Sequence, residues 1–283
     1  MIQGYWRLGS WGMDAHAIHG FVRGHLELGI TTVDHAFIYG NPEPCETMFG
    51  EALRIEAGLR DKLEIVSKCG IVRASEGKVG HYDTRPEAII ESVETSLSRL
   101  GTDRIDLLLI HRSDHLLSAD GVAEAFAKLR EAGKVLHFGV SNFTSAQFEL
   151  LRSRMDFPLA TNQVELNPLN MSVLESGLLE DLQRLRVSPM AWSCLAGGRI
   201  LNDEGEQAMR VRGALEDIRN EIGADSIAQV AFAWVLRMPS KPFPIIGSGN
   251  IESVRSAAES LGFALTPEQW YRIWVASAGR SVP

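Results

Sequence analysis

The sequence predicts an α/β protein of the (β/α)8 type, a TIM barrel in which eight parallel strands alternate with helices. Eight short apolar segments recur through the 283 residues, roughly 35 residues apart, the size of one β–α repeat. They show little alternation of polar and apolar residues, as strands buried on both faces do. The sequence G-x-G-x-x-G, which an open dinucleotide-binding sheet carries after its first strand, is absent near residues 9–12.

The predicted strands are short and rich in Val, Ile, Leu and Phe. The first is expected at residues 4–8, at the start of the chain. The others are expected at residues 31–34, 63–69, 105–110, 136–140, 160–165, 187–193 and 243–246.

Helix signals lie between these strands. A capping box pairs Ser or Thr at the N-cap with Glu or Gln three residues later. Thr84 and Glu87 match this pattern before an apolar helical stretch, and Gly101 is a natural stop for that helix. The same signal occurs at Thr144 with Gln147, and at Thr266 with Gln269, where Pro267 takes the first helical position.

Composition excludes several classes of protein. The net charge is -8 and the pI is about 5.5, which argues against a nucleic-acid-binding protein. No signal-peptide pattern or membrane-length apolar run is visible, so no membrane partner is expected. The three cysteines, Cys45, Cys69 and Cys194, are widely separated, which favours packing roles and a cytoplasmic location. One domain covering residues 1–283 is expected, as a monomer or a weak homo-oligomer.

Polar residues stand at the C-terminal ends of the predicted strands, which converge on the face of a barrel where active sites lie. Asp34 ends the second strand, Lys68 ends the third, and His111 follows the fourth, while Tyr39 comes shortly after Asp34. A phenol with a pKa of about 10 is a weak acid, and a nearby ammonium lowers that pKa. A carboxylate keeps the ammonium charged, and an imidazole can donate to a carbonyl oxygen. The four residues therefore indicate proton donation to a carbonyl.

Each member of this quartet has a structural alternative when it is taken alone. Asp34 could cap a loop or a helix, and Tyr39 before Gly40 could be an aromatic residue of a turn. His111 could be a hydrogen-bonded core histidine, whereas Lys68 at the end of an apolar strand needs a partner. The combination at neighbouring strand ends carries the prediction.

The sequence resembles the aldo-keto reductase superfamily over essentially its whole length, and its bacterial oxidoreductases in particular. Residues 34–40 (Asp-His-Ala-Phe-Ile-Tyr-Gly), with Glu46 and residues 49–53, are similar to the family signature around the aspartate and tyrosine. Further similar stretches are the lysine strand at 65–68, the histidine strand at 107–111, the most specific segment at 133–143, and residues 162–165.

The resemblance implies a role for each residue of the site. Tyr39 would donate the proton, Lys68 and Asp34 would tune it, and His111 would orient a small carbonyl substrate. The implied cofactor is NADPH, with NADH as an alternative. The implied cofactor-binding residues are Ser141, Asn142 and Gln163 at the carboxamide, Trp192 at the ring, Ser193, Leu195, Gly197 and Gly198 at the pyrophosphate, and Gly247, Ser248, Gly249, Asn250 and Arg255 at the adenosine phosphates.

Three features depart from the family pattern. No lysine stands at position 249 or 250, and Trp192 replaces the more common tyrosine or phenylalanine. The N-terminal hairpin that caps the barrel bottom is expected to be missing. The tail after the Thr266 helix is short, so we expect an open, aromatic-lined pocket suited to small aldehydes, ketones or dicarbonyls. The expected pocket residues are Trp6, Trp11, Phe37, Tyr82, His111 and Arg112.

Two other functions remain as alternatives. The first is a nonenzymatic regulatory subunit that binds a nicotinamide nucleotide on the same fold, although the intact quartet argues against it. The second is a metal-dependent hydrolase barrel, suggested by His35 and His111 with Asp34. No H-x-H pair or H-E-x-x-H motif is present, so no metal site is expected.

Overall fold

The computed structural model describes residues 1–283. Eight parallel strands close into a barrel, which confirms the predicted fold class, and two more form a small antiparallel hairpin. The strands are β1 (Ile2–Gly4), β2 (Thr32–Asp34), β3 (Glu64–Cys69), β4 (Ile71–Val72), β5 (His81–Tyr82), β6 (Ile105–Ile110), β7 (Val135–Ser141), β8 (Leu159–Glu165), β9 (Met190–Trp192) and β10 (Phe243–Ile246). The order around the barrel is β1-β10-β9-β8-β7-β6-β3-β2, and β4 and β5 form the hairpin.

Helices follow the barrel strands along the chain. No helix combines the length and the apolar character that a membrane crossing requires. The helices are α1 (Ala15–Glu27), α2 (Cys45–Leu53), α3 (Pro86–Leu100), α4 (Ala119–Glu131), α5 (Ser145–Arg152), α6 (Ser172–Glu175), α7 (Leu178–Leu185), α8 (Arg199–Asn202), α9 (Glu206–Ile222), α10 (Ile227–Leu236), α11 (Ile251–Glu259) and α12 (Pro267–Ala278).

The chain forms two compact units, one of Ile2–Gln163 and the other of Val164–Pro283 with Met1. The first unit buries Val33, Ile65 and Leu108 on neighbouring strands, and all three are at most 1% exposed. In the second unit, Trp234 of α10 stacks on Trp270 of α12 with ring centroids 5.0 Å apart, and each indole N–H donates to the other residue's carbonyl. A single domain over residues 1–283 stays a prediction.

Strand register aligns the polar ends of the first unit. Asp34 lies opposite Val66, and Lys68 lies opposite Leu109. Further along the sheet, Ser141 lies opposite Gln163. Because parallel strands end on the same side, this register gathers the polar side chains at one edge.

Two predicted strands differ from the observed strands by two or more residues at an end. Residues 4–8 do not form the first strand, which is Ile2–Gly4, because the chain turns where the N–H of Leu8 donates to the carbonyl of Tyr5 at 3.1 Å. The strand predicted at 187–193 is shorter, Met190–Trp192, because the N–H of Val187 closes the end of α7 on the carbonyl of Leu182 at 2.9 Å.

The capping box predicted at Thr84 and Glu87 is wrong. The hydroxyl of Thr84 donates to Asp114 at 2.8 Å, and α3 begins at Pro86 after an N-cap, Arg85, that has no side-chain cap. Gly101 ends α3 in the left-handed conformation, as predicted. The capping boxes of α5 and α12 are confirmed at Thr144 with Gln147 and at Thr266 with Gln269.

All three cysteines, Cys45, Cys69 and Cys194, are buried thiols. Cys69 follows Lys68, and a neighbouring cation can lower a thiol pKa. Burial dominates here and raises the pKa of Cys69 to about 12. The thiol therefore stays protonated and acts as a packing group.

Candidate active site

Lys68 is the centre of the site. Its ammonium donates to Asp34 Oδ2 at 2.7 Å, to the carbonyl of His35 at 2.7 Å and to the hydroxyl of Tyr39 at 3.1 Å. An ammonium has three N–H groups, so each one has an acceptor. Lys68 is 1% exposed, and such burial is tolerated only where the charge is paired and hydrogen-bonded. The sequence placed these groups at neighbouring strand ends, and the structure brings them into direct contact.

The charge of Lys68 is held by its neighbours. Burial opposes the ammonium, but Asp34 and Tyr39 outweigh it, and the pKa of Lys68 lies above its usual value. Asp34 is 4% exposed, and its second oxygen accepts from the amide of Gln163 at 2.7 Å. The carboxylate therefore pairs with the cation through one oxygen and is fixed in orientation through the other.

Two opposed effects act on the phenol of Tyr39. Burial raises its pKa and is the larger effect, while Lys68 lowers it, and the net pKa lies above the usual value. From the sequence, only the lowering of this pKa by the cation was expected. The net direction leaves Tyr39 protonated at neutral pH, the state that a proton donor requires.

His111 lies beside Tyr39, with ring centroids 5.7 Å apart in an edge-to-face arrangement. Burial, then the charges of Lys68 and Arg112, lower the pKa of His111 to about 2. The imidazole is therefore neutral at physiological pH. Its Nδ1 is buried without a partner. A lone pair tolerates this position better than an N–H does, which favours the tautomer with hydrogen on Nε2.

A second group of polar residues extends from Asp34 along β7 and β8. The hydroxyl of Ser141 donates to the carbonyl of Gln163 at 3.0 Å, and the amide of Asn142 donates to Ser141 Oγ at 2.8 Å. Asn142 is in the left-handed conformation with φ 56°, which is uncommon outside glycine and is frequent at functional sites. Hydroxyl and amide groups of this kind offer both donors and acceptors.

The predicted cofactor-binding residues at the end of β9 belong to the second unit. Trp192 is the last residue of β9, and the chain after it adopts left-handed conformations at Ser193, Gly197 and Gly198. The N–H of Gly198 donates to the carbonyl of Leu195 at 2.9 Å. Several left-handed residues in one tight loop are the backbone pattern of an anion-binding nest.

The loop after β10 leads into α11 and contains Gly247, Ser248 and Gly249. Asn250 is the N-cap of α11, and its side chain accepts from the N–H groups at positions 252 and 253. Arg255, one turn into α11, has a half-exposed side chain 3.5 Å from the carboxylate of Glu252. The helix start therefore carries one cation of the kind that a phosphate needs, with an acidic neighbour.

The predicted pocket residues differ in their surroundings. Trp6 is 59% exposed, and its ring centroid is 6.3 Å from that of Tyr39. Arg112 lies near enough to act on the pKa of both Tyr39 and His111. Phe37 lies under the guanidinium of Arg99, Tyr82 is 40% exposed on β5, and Trp11 packs on Tyr5 and Phe21.

Sequence reasoning missed two arginines that bind the backbone around Tyr39. Arg99 donates to the carbonyl of Phe37, and Arg73 donates to the carbonyl of Gly40, at 3.0 and 2.9 Å. Glu46, which belongs to the family signature, was a partial signal, because a buried carboxylate requires a cation. Nothing in the sequence pattern identified Arg99 as that cation.

The chain is similar to proteins of one family over almost its whole length. Residues 1–276 match the Aldo/keto reductase family. The chain belongs to the aldo/keto reductase family. Its relatives include oxidoreductase YdhF of Escherichia coli (strain K12), which is 54% identical over 100% of this chain and 94% of that protein. A 6-dehydroglucose reductase of Agrobacterium fabrum is 42% identical over 100% of this chain and 95% of that protein.

Solved structures of this family have the same fold. The thermostable aldo-keto reductase Tm1743, solved with the inhibitor epalrestat, has a TM-score of 0.82 and 27% identity, covering 97% of this chain and 94% of that one. The glycerol dehydrogenase AKR11B4 of Gluconobacter oxydans has a TM-score of 0.85, covering 100% of this chain and 93% of that one. The chain is therefore an oxidoreductase enzyme of the aldo/keto reductase family, whose members use nicotinamide cofactors.

Proposed function

We propose that this enzyme reduces aldehydes or ketones to alcohols with NADPH, and that Tyr39 is the proton donor. The observation that carries this proposal is the ammonium of Lys68, which contacts Asp34 and Tyr39 at once at 2.7 and 3.1 Å. A buried phenol with a cation on its oxygen can release its proton to a developing alkoxide. His111 beside it can polarise the same carbonyl.

The proton moves from the Tyr39 hydroxyl to the carbonyl oxygen of the substrate. As the phenolate develops, the ammonium of Lys68 stabilises it, and Asp34 keeps that ammonium charged and in place. His111, neutral with hydrogen on Nε2, donates a hydrogen bond to the same carbonyl oxygen and orients it. All four residues belong to the first unit of the chain.

The donor set around β7 and β8 fits the carboxamide of a nicotinamide. Ser141, Asn142 and Gln163 present a hydroxyl and two amides, which complement the donor and acceptor of a carboxamide group. When bound, the reduced nicotinamide supplies the hydride that the carbonyl carbon accepts. We assign the phosphates to the nest of Ser193, Leu195, Gly197 and Gly198, and the ring face to Trp192.

The preference for NADPH over NADH rests on the start of α11. Arg255 is a half-exposed cation in the second turn of this helix, and a helix N-terminus favours an anion. Its neighbour Glu252 competes for that guanidinium, and no lysine stands at positions 249 or 250. We therefore propose NADPH as the preferred cofactor and a measurable rate with NADH.

The proposed substrates are small carbonyl compounds. Trp6 beside Tyr39 supplies an exposed aromatic surface, and Arg112 supplies a cation near the reacting oxygen. Relatives at 42% and 33% identity are named 6-dehydroglucose reductases. A hydroxylated aldehyde of this class is the second candidate substrate, because guanidinium groups bind several oxygen acceptors at once.

The test is the oxidation of NADPH and of NADH by the purified full-length protein across a carbonyl panel. The panel contains small aldehydes, ketones, dicarbonyls and 6-dehydroglucose. We expect turnover with at least one compound, and a higher kcat/KM for NADPH than for NADH. A protein that binds both nucleotides and reduces no compound of the panel would contradict the proposal.

A further inference from the structure

The Tyr39 segment, residues 36–45, is held from two sides by arginine side chains. From the last turn of α3, Arg99 Nη1 donates to the carbonyl of Phe37 at 3.0 Å. From the residue after β4, Arg73 Nη2 donates to the carbonyls on either side of Tyr39, the second at 2.9 Å. Three backbone carbonyls around the phenol thus accept hydrogen bonds from guanidinium groups, which are stronger than bonds from neutral donors.

Arg99 is itself fixed by a buried carboxylate. Glu46 of α2 is fully buried, with one oxygen 3.4 Å from Arg99 Nη1 and the other accepting from the hydroxyl of Ser67 at 2.6 Å. Ser67 precedes Lys68 in β3. The guanidinium also lies over the ring of Phe37, 4.4 Å from its centroid. One network therefore links the strand of the lysine to the segment of the tyrosine.

The Tyr39 segment lies outside regular secondary structure until α2 begins at Cys45. Phe37 N–H ties its start to the carbonyl of Lys68 at 2.9 Å. Beyond that point its backbone bonds are Tyr39 N–H to the carbonyl of Ala36 at 2.9 Å, and Cys45 N–H to the carbonyl of Tyr39 at 3.0 Å. Gly40 follows with φ 86°, a turn conformation that favours glycine. A loop of this kind needs bonds from outside to hold one side chain in one place.

We propose that Arg99 and Arg73 are positioning residues, which hold the hydroxyl of Tyr39 at the ammonium of Lys68. The inference rests on the proposed function, because it assigns these residues to the proton-donating step. Arginine suits the role since one planar fork reaches several acceptors. Lysine at position 99 would keep the charge and make only some of the contacts that Arg99 makes with Glu46 and Phe37.

The test uses Arg73→Met, Arg99→Met and the double variant, measured as full-length proteins. Arg130→Met is the matched control, because its guanidinium lies over the ring of Phe157 at 4.5 Å and has no bond to residues 37–40. Arg99→Met leaves Glu46 unpaired and can fail to fold. Arg73 is exposed, so we expect Arg73→Met to fold even where Arg99→Met does not. Arg99→Lys tests whether a retained positive charge restores kcat.

Two readouts separate positioning from general damage. In the double variant, or in Arg73→Met if Arg99→Met does not fold, we expect kcat to fall about tenfold or more. KM and the cofactor Kd should stay within about threefold of wild type. We expect faster amide hydrogen exchange in residues 36–45, with partial recovery of kcat in Arg99→Lys and no change in Arg130→Met.

Different results would overturn the positioning role and the proposed function. Wild-type kcat in folded variants overturns the positioning role, whether or not exchange becomes faster. An equal loss of kcat in Arg130→Met also overturns it. If the wild-type protein reduces no compound of the panel, the proposed function fails, and the exchange of residues 36–45 alone decides whether the two arginines hold the Tyr39 segment.

Discussion

At the scale of single residues, the site contains two kinds of buried titratable group. Some are charged and paired with an opposite charge, and the others are held in their neutral form. Lys68 stays charged because Asp34 and Tyr39 outweigh the effect of burial on its pKa. Tyr39 stays protonated because burial outweighs Lys68. His111 stays neutral because burial and two cations lower its pKa. The sequence predicted which residues meet, but the balance between burial and charge depends on distances that only the fold sets.

His35 has no part in the proposed proton path and is the best probe of acid sensitivity. It is fully buried, stacks on Tyr5 with centroids 4.8 Å apart, and has no partner on either ring nitrogen. Burial, then Lys68, lower its pKa to about 3 from 6.5. The unfolded chain binds a proton near pH 6.5 and the native state does not. Above pH 6.5, His35 therefore does not lower the free energy of unfolding. As the pH drops from 6.5 towards 3, His35 makes that free energy fall.

Between pH 7 and low pH, we expect His35→Phe to lose less unfolding free energy than wild type. Removing one such histidine should reduce the slope of unfolding free energy against pH by up to about 1.4 kcal/mol per unit below pH 6. Denaturant unfolding at several pH values measures this slope. The exposed His16→Phe is the control. Superimposable pH curves for His35→Phe and wild type would show that His35 is not protonated on unfolding.

At the scale of elements, α2 and α3 pack with backbone in direct contact, and this contact places the Arg99 network. A Cβ at Gly50 of α2 would overlap the carbonyl oxygen of Arg99 and lie 2.8 Å from the carbonyl carbon of Leu100. Glu46 lies one turn before Gly50 on the same face. The missing side chain at position 50 therefore lets α3 approach closely enough for Arg99 to reach Glu46.

Gly50→Ala should destabilise the protein by about 1–3 kcal/mol, because the obstructing atoms belong to backbone and cannot rotate away. Gly213→Ala in α9 is the matched control, since a Cβ there meets nothing within 4 Å. Alanine in a helix interior is favoured over glycine by about 0.5–1 kcal/mol. Thermal unfolding should show opposite shifts in Tm for the two variants. A Tm for Gly50→Ala equal to or above wild type would refute the close approach.

Sequence signals predicted elements well where a local cause decides them. Pro267 and the Thr266 box begin α12, and Gly101 ends α3, because capping and left-handed φ are local effects. The signal at Thr84 failed because Asp114, distant in sequence, takes its hydroxyl. The β4–β5 hairpin was not predicted, since two-residue strands carry no detectable periodicity.

At the scale of the whole molecule, the family and the barrel were predictable, while the residues that hold the site in place were not. Strand ends in a barrel point to one face by geometry, so Asp34, Lys68 and His111 could be grouped from strand order alone. The contacts of Arg73 and Arg99 with the Tyr39 segment depend on side-chain reach across elements, which no spacing encodes. Membership of the family fixes the enzyme class, and the identity of the carbonyl substrate is decided by the pocket.

The role of Tyr39 as proton donor is tested by comparing Tyr39→Phe with wild type, using the best carbonyl substrate of the panel and NADPH. The variant removes one hydroxyl and keeps the ring beside His111. We expect kcat to fall by about 100-fold or more, because a general acid contributes about that factor or more. NADPH affinity, measured by fluorescence titration, should change less than about threefold. A folded Tyr39→Phe protein that turns over at the wild-type rate would show that Tyr39 is not the proton donor.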